Sequence, residues 1–327
     1  WQQYSIQPEQ SRLATKRSSS HQASIRMEEL FSLGRLDGPE EQVFGMVFDA
    51  DVGKDGSVYV ADVMFRRISV FDSAGRFVRW IGGKKGQGPG ELMSPYKIAV
   101  LDSLVAVYDD QLGRVNLFGT DGTFRRYFIV PTPFTEDLAA APDGGLLLTT
   151  PFGDSAEVLH YDLSGKLVGT YVRPAHIRTL LRGHSLPRPG LVCAQSGKIA
   201  YANAWIYELA LLDPRSGRYD WVKRWKNDFI KPVAPDSATV RPAVQSAPLF
   251  GFECDEDHIV LAYFDPPNQR LFYDFFDDQG NLEARFKFTR APGQPFPGFV
   301  GGMAADRLVA FRTRPYSQVF IYWIGHQ

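Results

Sequence analysis

Carboxylates, glycine-rich backbone and arginine are the groups in this sequence that could do chemistry, and each is concentrated in its own segment. Asp49 to Gly56 (DADVGKDG) places three carboxylates near one turn, the ligand type of a hard cation such as calcium. Their spacing misses the alternate positions of a calcium loop, and the corresponding place some fifty residues on keeps only Asp102, so the segment reads as a solvated turn. The string GGKKGQGPGEL, which ends at Leu92, could cradle phosphate on its backbone amides. A phosphate loop needs a helix after it, however, and the residues beyond Pro95 read as a strand. The six histidines are scattered, with His160, His258 and His326 in or beside strands, and there is no GxSxG nucleophile elbow.

Arginine is the better lead. From Leu163 to Tyr207 the chain has no Asp or Glu, while Lys166, Arg173, Arg178, Arg182, Arg188 and Lys198 are all present. Four of these arginines, with His176 and His184, lie in RPAHIRTLLRGHSLPRPG, a connection long enough to suggest function. A planar guanidinium suits bidentate carboxylate contact and interface anchoring. Arg173, His176, Arg178, Arg182, His184 and Arg188 are therefore expected to dock a protein partner with an acidic surface. A second long connection, Lys226 to Pro248, is proline-rich.

The elements that position these residues follow from a repeat. Ser57 to Pro95 holds three short runs of β-branched and aromatic residues, two tight breaks and a glycine-rich crossing, the pattern of antiparallel strands. The strand-closing turn recurs as DSAG, TDG, DLSG, DPRSG and DDQG, ending at Gly75, Gly122, Gly165, Gly217 and Gly280, so hairpins return every 43 to 63 residues. An Asp five residues before an Arg recurs as well: Asp62 and Arg67, Asp109 and Arg114, Asp265 and Arg270. These are expected to pair across the loop that joins two strands.

By these markers the sheets run about 45 to 81, 96 to 130, 137 to 172, 190 to 225, 249 to 288 and 299 to 324. The last has three strands, and the segment from Ile25 to Leu33 is a strand without a sheet. The expected fold is all-β: a six-bladed propeller of four-stranded antiparallel blades, closed when residues 25–33 complete the last blade. Residues 1–23 read as a polar arm and 24–327 as one propeller domain.

The segments IGGKKGQGPGELMSPYKIAV, YVADVMFRRISVFDSAGRFVRWIGG and VYDDQLGRVNLFGTDGTFRRYF resemble the NHL-repeat family of six-bladed propellers, most clearly over Val43 to Val130. The resemblance implies the same ring. Related propellers that act as lactonases or amidating lyases hold a channel metal through several side chains on the innermost strands. Here the corresponding region offers Glu136, Asp137 and Glu253, with no histidine. Glu136 and Asp137 are the residual metal candidates, and no cofactor is expected.

The net charge of -1 gives no global pull toward nucleic acid or anionic membrane, and nucleic-acid binding would need a broader basic face than one loop. No run of about 18 apolar residues is present to span a bilayer. The start at Trp1 is read as favouring export, with a leader or anchor outside these residues. Cys193 and Cys254 fall at equivalent ends of the innermost strands of blades four and five, as a bridge or as two buried thiols. The expected function is a non-catalytic protein-binding propeller, an exported scaffold or extrinsic subunit of a membrane-associated complex. The alternative is a metal-dependent hydrolase or lyase, or a small-molecule binder, at the channel mouth.

Overall fold

Alternating apolar strands too short to bury both faces alone must stack against copies of themselves, and here they stack around an axis. In a computed structural model, residues 7–8, 25–131, 135–150, 158–171, 190–203, 208–224, 249–265, 270–289 and 298–326 are described. Blade one runs outward through Val47–Val52, Val58–Asp62, Arg67–Phe71 and Phe77–Gly82, and blade two through Pro95–Val100, Leu104–Asp109, Arg114–Gly119 and Phe124–Ile129. Blade three is Asp137–Ala140, Leu146–Thr149, Val158–Tyr161 and Leu167–Tyr171, and blade four is Gly190–Gln195, Lys198–Asn203, Glu208–Asp213 and Arg218–Arg224. Blade five is Leu249–Cys254, Ile259–Asp265, Arg270–Phe276 and Leu282–Thr289. Blade six takes Phe299–Ala304, Arg307–Arg312 and Gln318–His326 from the end of the chain and Ile25–Leu33 from its beginning. That last pairing runs antiparallel from Ile25 opposite His326 to Leu33 opposite Val319 and closes the ring as expected. Among the described residues the helical content is one short 3-10 turn, Glu40–Gln42.

The core lies between blades. Tyr59, Ile68 and Ile81 of blade one pack on Ile98, Val105 and Val107 of blade two, and similar clusters fill the other seams. Middle strands are buried along their length, as in Val58–Asp62, whereas the outer strand Phe77–Gly82 alternates. The repeated turns need a left-handed residue, which Gly75 (φ 77°) and Gly122 (φ 88°) supply without a Cβ clash. Of the N-terminal arm, Gln7 and Pro8 pair with Lys287 and Phe286 on the outer edge of blade five.

The recurring Asp and Arg are opposite each other in the ladder, Asp62 across from Arg67 and Asp109 from Arg114, but in these two blades their side chains part. Asp62 turns inward and accepts hydrogen bonds from the backbone N–H groups of Gly45 (2.7 Å), Met46 (3.2 Å) and Phe65 (3.0 Å). Asp109 repeats this with Met93, Ser94 and Leu112. Arg67 instead pairs with Glu40 and lies 4.3 Å over the Trp80 ring. Arg114 donates to the carbonyls of Gln87, Gly88 and Glu91 and lies 4.3 Å over Tyr127. The expected ion pair is thus two devices: the acid caps the entry to the innermost strand, and the arginine ties the glycine-rich crossing to the outer strand. A buried carboxylate offers several lone pairs to orphaned amides, which draws it away from a single guanidinium. The third pair, Asp265 and Arg270, also sits in register.

Candidate functional site

The innermost strands surround the channel, and their register determines which side chains meet there. In blades one, two and five a one-residue bulge follows the first pair, so Asp49, Lys97 and Gly251 occupy one position and Asp51, Ala99 and Glu253 the position two residues on. Asp137 matches Asp49, since both lie four residues before the one whose N–H closes the following turn. The first ring therefore carries acid, lysine and acid on blades one, two and three. Lys97 Nζ lies 3.7 Å from Asp49 Oδ1 and 3.7 Å from Asp137 Oδ1. The second ring carries Glu253 on blade five and Asp51 on blade one, and Gly302 of blade six lies beside Asp51.

The remaining carboxylate oxygens stitch blades together. Asp49 Oδ2 accepts from the Ile98 N–H at 3.0 Å, Asp51 Oδ2 from Val100 at 2.7 Å and Asp137 Oδ2 from Val192 at 2.9 Å. Gly302 is required where it stands, because a Cβ there would run into the Asp51 side chain. So Asp49 and Asp51, expected in a solvated turn, lie in a strand at the channel. Asp55 is the acid that sits in the turn, binding the Ser57 N–H.

Burial disfavours the charged form of every acid here. It raises Asp49 to about 7 against the pull of Lys97 and the Ile98 amide, and Asp51 to about 7 against the amides of Val100 and Val52. Burial also raises Asp137 against Lys97, and lifts Glu253 well above the carboxylate range with help from Asp137, Asp51 and Asp49. For Lys97 burial works against the charge, but Asp49 and Asp137 outweigh it and its pKa lies above that of ordinary lysine. Several acids around one ammonium cannot all ionise; Lys97 keeps its charge and the acids share protons near neutrality.

A stability profile follows. The folded state binds protons that the unfolded chain releases near pH 4, so this contribution is full below about pH 4 and lost as pH rises through about 7. Unfolding free energy is expected to fall by about 2 kcal/mol between pH 5 and pH 8, less than the full shift of about 1.4 kcal/mol per pKa unit because Asp51 is only partly buried. Asp51→Asn should flatten the profile in urea titrations at pH 5, 6.5 and 8. An unchanged slope would reject the assignment.

Beyond the second ring the channel widens into a funnel of about 920 Å³ at the face of the short turns, lined by the ends of all six innermost strands. The Cys193–Cys254 disulfide, with Cα atoms 5.8 Å apart, forms part of its wall and joins blades four and five. Among the described residues no three His, Cys, Asp or Glu side chains converge as a metal site. Of the residual metal candidates, Asp137 is engaged by Lys97 and Val192, and Glu136 acts on Tyr96 and Lys97 electrostatically.

The opposite face carries the entries to the innermost strands. Met46, Phe48, Met64 (53% exposed) and Phe65 present apolar surface there, all on blade one. Met64 packs beside Gly45, Phe48 lies 5.1 Å from the Tyr96 ring of blade two, and Arg67 is 4.9 Å over Phe65. Arg173, His176, Arg178, Arg182, His184 and Arg188 lie outside the described residues.

The reading from sequence missed Asp49, Asp51 and Lys97 as channel residues. The signal was the strict alternation D-x-D in VFDADV and its alignment with YKIAV of the next repeat.

Residues 46–140 match the model of the DUF5128 family, described as a six-bladed β-propeller. No curated protein sequence matches the chain. Solved structures share the fold: a candidate exported protein of Bacteroides fragilis at 13% identity (TM-score 0.61, 93% of this chain and 95% of that one) and a DUF4221-family member from Bacteroides vulgatus at 12% (TM-score 0.55, 94% and 100%). A streptogramin B lyase is similar at 11% identity, with a TM-score of 0.51 over 94% and 100% of the two chains. At these identities the likeness is one of fold, and it reaches the six-bladed propeller without singling out the NHL repeat.

Proposed function

We propose that this propeller works by binding: it docks a protein partner with an acid-rimmed, apolar-centred surface onto the face that carries the innermost-strand entries. The observation that carries this reading is the group of exposed Met46, Phe48, Met64 and Phe65 on one sector of that face. Monomeric proteins rarely leave contiguous apolar surface without a use, and Met and Phe are enriched at interfaces. Charge complementarity selects the partner, since the acid-free stretch containing Arg173, Arg178, Arg182 and Arg188 favours carboxylates. The similar candidate exported protein and the absence, among the described residues, of a helix able to cross a membrane support an extracytoplasmic place. There the chain serves as a scaffold or extrinsic subunit of a membrane-associated complex.

The test is affinity purification followed by direct binding of the identified partner in pure form. Met64→Glu with Phe65→Glu, and Arg178→Glu with Arg182→Glu and Arg188→Glu, should each weaken binding at least tenfold, whereas Asp51→Asn should not. Unchanged affinity in both charge variants would sink the docking face.

A further inference from the structure

Away from the channel, the connection from blade six into blade one departs from the repeat at two places. Counted back from the capped entries Gly45 and Met93, whose N–H groups are held at 2.7 Å by Asp62 and Asp109, Arg35 and Gln42 stand where the next connection has Gly83 and Gly90. Both of these added side chains line a cleft of about 780 Å³ between blades six and one. Glu41 lines it as well, and Leu33, Phe71 and Phe77 give it an apolar wall. The Arg35 N–H donates to the Gln42 carbonyl at 2.8 Å, and a Cβ on Gly38 would lie 3.9 Å from both the Arg35 Cδ and the Gln42 Oε1, so the two side chains reach the same spot. Among the described residues Arg35 and Glu41 have no ion-pair partner, in each other or elsewhere, and Gln42 Oε1 is buried without a donor. Arg76, the other arginine of the cleft, is held by Asp72 at 2.7 Å. A buried acceptor without a donor carries a desolvation cost that a ligand N–H removes. An unpaired guanidinium and an unpaired carboxylate on one cleft match a ligand that carries both charges.

We propose that this cleft binds a free apolar α-amino acid. Its carboxylate pairs with the Arg35 guanidinium, its ammonium donates to Glu41 and Gln42 Oε1, and its side chain lies against Phe71 and Phe77. A simple anion would leave Glu41 and Gln42 unanswered, and a simple amine would leave Arg35 so.

Isothermal titration of the whole chain with phenylalanine, leucine, glycine, N-acetylphenylalanine and phenylalaninamide tests this. Phenylalanine or leucine should bind, and glycine, which lacks the apolar side chain, at least tenfold more weakly. N-acetylphenylalanine, without the ammonium, and phenylalaninamide, without the carboxylate, should each lose about tenfold or more. These two also stand for the last and first residues of a peptide, so full binding of either would overturn the assignment to a free amino acid. Arg35→Gln and Glu41→Gln should each weaken phenylalanine about tenfold or more, the worth of one charge-assisted contact. Urea midpoints verify folding, and the ligand series on the wild-type chain keeps the test decisive should a variant fail to fold. Phenylalanine affinity unaffected by both substitutions, or no binding of phenylalanine or leucine at millimolar concentration, would overturn the proposal. Neither outcome touches the docking face, which rests on Met46, Phe48, Met64 and Phe65.

Discussion

Asp109→Ala is expected to lower unfolding free energy by about 3–4 kcal/mol, read as a shift of the urea midpoint at constant slope. The carboxylate is fully buried and accepts three backbone hydrogen bonds, from Met93 at 2.7 Å, Ser94 at 3.1 Å and Leu112 at 3.2 Å. Alanine would leave all three donors without an acceptor at the point where the chain turns from the crossing into the innermost strand, and each unmet donor costs about 1–3 kcal/mol. Asp62→Ala should behave alike, because Asp62 binds Gly45, Met46 and Phe65 in the same geometry. Asp102→Ala provides the contrast: its exposed pair with Lys54 should be worth less than about 1 kcal/mol. A loss below 1 kcal/mol at Asp109 would show that the cap is dispensable.

Breaking the Cys193–Cys254 bridge should have an effect of similar size. The two residues are 61 apart in sequence, and closing a loop of that length removes unfolded-state entropy equivalent to about 4 kcal/mol in the chain-entropy picture. Cys193→Ser with Cys254→Ser is therefore expected to lower stability by about 3–4 kcal/mol in guanidinium titrations, and a reductant should shift the wild type but not the variant. If reductant leaves the wild-type midpoint in place, the bridge carries no such load.

The ring was legible because its cues are local. Turn glycines, β-branched runs and the fixed spacing of Asp to Arg each report on neighbours in sequence, and the unsheeted strand at Ile25–Leu33 was recognisable from the three-stranded last blade. The partners of the repeat Asp and Arg were misread, since Asp62 reaches backbone 16 and 17 residues away and Arg67 a glutamate 27 away. The channel site was hidden for a related reason. Lys97 meets Asp49 and Asp137 only once blades one, two and three stand side by side, and nothing in a single repeat announces that meeting.

The seam between Ile25–Leu33 and Gln318–His326 also sets the order of events during biosynthesis. Its partners are some 300 residues apart, so the ring cannot shut until the strand Gln318–His326 has left the ribosome. Blades formed earlier must wait as an open arc with unpaired edges, a state that attracts chaperones and aggregation. The closing step then joins the most distant pairing in the molecule, the kind of contact that slows folding most.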